Sequence, residues 1–229
     1  MAVFLAAVLS GCSDGGGGSD RATEQGGGGA TEVCGAFAKD APASAALESV
    51  MGAERFTDDL SEPGKALDEL RAASRTPLAR TYRPQPVKYC WLLPAQKGPK
   101  DLQVEVNATP EVPAVDPMLA DKATYFATGA RAYSSAGLAK LYFMCRLEAP
   151  AHAITVETSV RGPGTVLGED RQRRVQMATL ANAAARQISE ELGCQGDELA
   201  TGVPPAVASP SSARDPVASP EQVHQEADK

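Results

Sequence analysis

Hydrophobic and polar positions alternate along this chain with two different periods. Between Asp40 and Gly52, the residues Ala45, Ala46, Leu47, Val50 and Met51 form an apolar face. Asp40 is placed to cap a helix, Pro42 falls in its first turn and Gly52 stops it. A second helix is predicted after Ser61. It enters through Pro63 and runs to about Arg75, with Leu67, Leu70 and Ala73 on one side and Asp68, Glu69 and Arg71 on the other. Thr76-Pro77 ends it, because the residue before a proline is pushed out of the helical region.

The period then drops to two. Val87 to Leu93, with Tyr89-Cys90-Trp91 at its centre, and Leu102 to Val106 read as a hairpin whose loop, Pro94 to Asp101, carries the turn signal Gly98-Pro99. Leu138 to Leu147 and Ile154 to Val160 repeat the arrangement, and Tyr125 to Thr128 makes a further short strand. Acidic and hydroxyl side chains alternate with Val and Ile in these strands, as in a sheet packed on one face and wet on the other. From Asp170 to Leu192 the period returns to that of a helix, with Met177, Leu180, Ala181, Ala184, Ile188 and Leu192 in one stripe and Gly193 as its stop. The expected fold class is α+β: an antiparallel sheet packed against a long C-terminal helix and two shorter N-terminal helices.

The two ends of the chain have a different character. Eleven uncharged, mostly apolar residues precede Cys12, too few for a span, which needs about 20, and typical of the apolar core of a signal peptide. The first basic residue is Arg21, so the basic opening of such a signal is expected upstream of Met1. Residues 12 to 30 contain two glycine runs and read as a flexible tether. A single globular domain is expected over residues 31 to 197. Residues 198 to 229, rich in Pro, Ala and Ser, read as a disordered tail.

Cys34, Cys90, Cys145 and Cys194 span the presumed domain, with no close pair of the kind a zinc site uses. Two disulfides are expected, each worth about 2–4 kcal/mol. Four cysteines permit three pairings. The sequential one, Cys34 with Cys90 and Cys145 with Cys194, is preferred, because the two cysteine-bearing strands look like a pseudo-repeat in which each takes its partner from a helix-flanking segment.

Charge and chemistry narrow the function by exclusion. With 29 acidic against 22 basic residues the net charge is -7, and Arg171, Arg173 and Arg174 are the densest basic cluster, which argues against nucleic acid. His152 and His224 are the two histidines, and His152 falls in a turn where solvation is its ordinary role. Asp58, Asp59 and Glu62 lie beside a helix start, where carboxylates offset the helix dipole. Asn107-Ala108-Thr109 matches a glycosylation acceptor, a triplet common by chance. Trp91, next to a cysteine, reads as core. The loops 94–101 and 109–122 are the expected recognition surfaces. No catalytic residue, metal ligand or cofactor is expected.

Leu9-Ser10-Gly11-Cys12 resembles the lipobox of bacterial lipoproteins, which implies cleavage before Cys12 and a lipid on its thiol. Together with the glycine tether, the four cysteines and the Cys90-Trp91 hairpin, the layout of residues 5 to 197 resembles small secreted lipoproteins of high-GC actinobacteria such as Streptomyces. The resemblance implies an address on the outer, extracellular side of the cytoplasmic membrane, anchored through Cys12. It carries over no activity and no functional residue besides Cys12. The expected role is a non-enzymatic domain that binds another cell-envelope component, a protein, with binding of a small solute or lipid as the alternative.

Overall fold

The computed structural model describes residues 26–208 apart from 84, 97, 99 and 165–169. Cys12, the apolar run before it and the residues from 209 onward lie outside the described residues. In chain order the elements are β1 (Gly28–Gly29), α1 (Ala41–Met51), β2 (Arg55–Thr57), α2 (Pro63–Ala73), β3 (Val87–Pro94), β4 (Leu102–Thr109), α3 (Pro117–Ala120), β5 (Thr124–Phe126), β6 (Arg131–Ser134), β7 (Leu138–Cys145), β8 (Ile154–Arg161), α4 (Arg171–Leu192) and β9 (Ala206–Val207). The nine strands form one antiparallel sheet in the order β1-β2-β3-β4-β8-β7-β6-β5-β9.

The helices start and stop for local reasons. Asp40 accepts the amide of Ala43 at 2.9 Å, and Gly52, in the left-handed conformation at φ 65°, returns its N–H to the Glu48 carbonyl. Asp170 caps α4 in the same way through the Arg173 amide, and Gly193 ends it at φ 74°. Ser61, which precedes α2, does not cap it; Glu62 holds that position without a side-chain bond. The Ser61 hydroxyl instead accepts the Trp91 amide at 2.8 Å, tying the entry of α2 to β3.

One face of the sheet is dry. Leu102, Val104, Val106 and Ala108 of β4 lie opposite or beside Ile154, Val156 and Val160 of β8, and Leu141, Phe143 and Cys145 of β7 continue the same layer. α4 lies across β5 to β8, α2 covers β3 and β4, and α1 packs on α4, all within one continuous core. Ala181, Ala183, Ala184 and Ala185 keep α4 thin enough to be approached from several directions. Both disulfides close in the sequential pairing, Cys34 to Cys90 and Cys145 to Cys194, and the α+β architecture has its long helix at the C-terminal side of the sheet.

At both ends the fold takes in more of the chain than residues 31 to 197. Gly28 and Gly29 pair with β2 as an edge strand, and Gly27 sits at φ 110° where a Cβ would lie 2.5 Å from the Phe56 carbonyl oxygen. Beyond Asp197 the chain is held to the buried side chain of Asn182. The Asn182 amide donates to the carbonyls of Ala200 and Gly202 at 2.8 and 3.2 Å, and its oxygen accepts the Thr128 hydroxyl at 2.6 Å. β9 then pairs with β5.

Among the described residues no helix is long and apolar enough to cross a membrane. The longest, α4, has 22 residues but carries Arg171, Arg173, Arg174, Arg186, Glu190 and Glu191. The expected lipid anchor and the address on the outer face of the cytoplasmic membrane are corrected accordingly: no described residue carries them, and Cys12, on which they rested, lies outside the described residues.

Replacing Asn182 with Ala strands two carbonyls and a hydroxyl in the interior. The expected loss is about 2–4 kcal/mol, read from urea unfolding, with faster amide exchange at Ala127 and Ala200. A loss below about 1 kcal/mol with unchanged exchange would show that the C-terminal segment is held by other means.

Candidate functional site

The second face of the sheet is polar and aromatic, because every residue that alternates with the dry layer points there. Strand pairing arranges it in rows. One row reads Trp91, Gln103, Arg161 and the buried Leu138; the next reads Lys88, Glu105, Ser159, Lys140, Tyr133 and Tyr125; a third reads Asn107, Glu157, Tyr142 and Arg131.

The β5–β7 end of this face is closed by its own chain. Tyr125, Tyr133 and Tyr142 are buried together, with Val112, Val115 and Ala123 packed against them from the segment that contains α3. That segment is pinned where Arg131 donates to the Pro113 carbonyl at 2.6 Å and Thr109 donates to the Glu111 carbonyl at 2.8 Å. The rings of Tyr125 and Tyr133 are 6.2 Å apart, within the range of favourable aromatic pairs. Lys140 pairs with Glu157 at 2.6 Å, and Tyr142 lies directly opposite Glu157 in the strand register. Burial, followed by the charge of Glu157, pushes the Tyr142 phenol far above its ordinary pKa. Burial likewise raises Tyr89, Tyr125 and Tyr133.

The β3–β4–β8 end is different. Trp91 is half-buried here, which corrects its assignment to the core: Cys90 takes the inward position for its disulfide, and the next residue of a strand must face the other way. The Lys88 ammonium stands 4.0 Å from the centre of the indole ring. The indole N–H is enclosed without a hydrogen-bond partner among the described residues. Gln103 is held by Asp101 at 2.7 Å, and the Arg161 side chain is exposed with no ion pair or hydrogen bond among the described residues.

The other residues singled out by sequence occupy ordinary structural places. His152 is exposed in the turn before β8, its amide donated to the Ser74 carbonyl. Asp58 accepts the Cys34 amide at 2.6 Å, steadying a turn in which Cys34, Gly35 and Ala36 all have positive φ. Glu62 pairs with Lys65, and Asp59 is exposed. Asn107, of the Asn-Ala-Thr triplet, is buried in β4. Among the described residues no group of three or more His, Cys, Asp and Glu side chains is placed to hold a metal ion. Of the two loops expected to carry recognition, residues 110–123 lie over the tyrosines, and the loop after β3 stands beside the open end.

Comparison of the chain with family models, with curated proteins and with solved structures finds no match in any of the three. Any reading of function therefore rests on the geometry above.

The tyrosines give a pH test with a definite sign. Their folded pKa values are raised, so the fold favours the neutral phenol. Its contribution is complete below the unfolded pKa of 10.0 and is lost as pH rises past that value. Absorbance at the phenolate band from the four buried tyrosines, with the exposed Tyr82 replaced by Phe, should therefore rise in one cooperative step together with loss of near-ultraviolet circular dichroism. Gradual ionisation of Tyr125, Tyr133 and Tyr142 near pH 10 in a still-folded protein would contradict the buried cluster.

Proposed function

We propose that this chain is a non-catalytic binding domain that docks a protein partner on the polar face of its sheet, around Trp91, Lys88, Gln103 and Arg161. The observation that carries this reading is Trp91, the only tryptophan of the chain, half-buried on the polar face of the sheet with the Lys88 ammonium 4.0 Å from its ring centre and the exposed Arg161 on the same row. Tryptophan and arginine are the residues most enriched at the energetic centre of protein interfaces, and here they flank one glutamine on adjacent strands. Strands fix these side chains more rigidly than loops would, so little conformational freedom is lost on contact.

The partner's chemistry follows from the groups left unsatisfied. Arg161 calls for a carboxylate, and the Trp91 ring for an apolar or aromatic side chain beside it. Glu105, without an ion pair of its own among the described residues, sits on the neighbouring row and favours a partner that also presents a cation. A surface of both signs selects its partner by register rather than by net charge. The two disulfides support a scaffold role, since they fasten the strands on either side of the central pair to segments beside the helices.

A photo-crosslinking side chain placed at Gln103 or Arg161 in the producing cell should capture one partner, and the same group at Ala45, on the exposed side of α1, should not. Trp91→Ala in the purified full chain should then weaken that partner's binding by about tenfold or more. Equal capture from Ala45, no capture from the sheet, or unchanged affinity of the W91A protein would overturn this reading.

A further inference from the structure

On the helical side, and separate from the sheet face, an open groove of 460 Å³ runs between the end of α2 and the turn that follows β7. Its apolar walls are Leu147, Pro150, Ala151 and Leu192, and Arg71, Arg75 and Glu148 are its charged groups. The volume falls within the roughly 300–1,000 Å³ of small-molecule sites. The walls are tied to each other by the fold. Cys145 and Cys194, two residues away from Leu147 and Leu192 respectively, are joined by a disulfide with Cα atoms 4.8 Å apart, and Gln195 donates its amide to Arg146 at 3.0 Å.

From these features we infer that the groove binds an aliphatic monocarboxylate, its chain along Leu147, Ala151 and Leu192 and its acid group on Arg75. Arg71 is already engaged, with Asp68 at 3.1 Å and with the Glu191 carbonyl at 3.2 Å. The backbone is satisfied as well: the Ser74 hydroxyl donates to the Arg71 carbonyl at 2.8 Å and the His152 amide to the Ser74 carbonyl at 2.7 Å. The amides of Ala151 and His152 on the groove's rim are thus engaged within the fold, with Glu148 and Ser74 respectively, and neither is left for a peptide ligand. The Arg75 side chain is exposed and makes no ion pair or hydrogen bond among the described residues, its backbone amide alone being engaged, with the Ala72 carbonyl at 3.2 Å.

A basic residue at a helix end commonly answers the helix dipole. Here the Arg71 carbonyl in the last turn is capped by Ser74, so Arg75, lying past that cap, is left for another anion. A guanidinium matches a carboxylate with two parallel hydrogen bonds, and the adjoining walls accept methylene groups. Glu148 has the opposite effect, repelling the acid and setting a limit on affinity. An amine would reverse both preferences.

The test is a methyl and amide NMR titration of the oxidised full chain with sodium octanoate, octanol and octylamine in parallel. Octanoate should shift Leu147, Ala151 and Leu192 saturably, and bind at least about fivefold more tightly than octanol or octylamine. Arg75→Gln should weaken octanoate about tenfold at an unchanged melting temperature, and Glu148→Gln should tighten it about twofold to threefold. Absence of shifts at these residues, equal binding of octanol or octylamine, or wild-type affinity in the R75Q protein would overturn the assignment. Tighter binding of an acetylated tripeptide ending in a leucine carboxylate would also overturn it, giving the groove to a polypeptide end instead.

Discussion

The enclosure of α4 is the constraint on which the other elements depend. Met177, Leu180, Ala181, Ala184, Ala185 and Ile188 are all inaccessible or nearly so, because the sheet lies beneath the helix, α1 lies against it and the chain after Asp197 closes its flank. A helix buried on so many sides needs small side chains where its neighbours come close, and the alanines supply them. It must also satisfy any polar group it brings inside. Asn182 does so by holding three groups of the surrounding chain, which makes it a clamp in the middle of an otherwise apolar surface.

With α4 and α2 concentrated on one side, the opposite face of the sheet is left to the polar half of each strand. That face is not uniform. At one end a segment of the chain covers three tyrosines and a charged pair; at the other, Trp91 is half-buried and Arg161 is exposed. The same sequence alternation that builds the core therefore also builds the surface available for contact, and its two ends differ in how deeply their side chains are buried.

Much of this was legible from periodicity. Asp40, Pro42 and Gly52 bracket α1 because capping and left-handed termination depend on local chemistry, and the stripe from Met177 to Leu192 is long enough to fix α4 by itself. The two cysteine-bearing hairpins were legible for the same reason. The short strands β1, β2, β6 and β9 were not, since two to four residues carry no period and their identity comes from a distant partner. Composition misled at both termini: glycine reads as tether until its neighbour is seen to leave no room for a Cβ, and proline with alanine reads as tail until Asn182 supplies donors for its carbonyls. Trp91 had a usable signal, because a cross-linked Cys90 directed inward places the following residue outward. The groove had none, as Arg75 and Leu147 meet only through the tertiary fold.

The position of β9 also sets an order of assembly. β5 obtains its outer neighbour, and Asn182 its carbonyl partners, from residues synthesised after every other described strand and helix. A chain emerging from its N-terminus therefore reaches β8 and α4 with one sheet edge still unpaired and one amide in the helix still unanswered. Only the final ten or so described residues complete both. The described fold is thus completed by its least structured-looking stretch, and a chain released before that point would leave β5 without its outer neighbour, an open strand edge carried into whatever encounter came next.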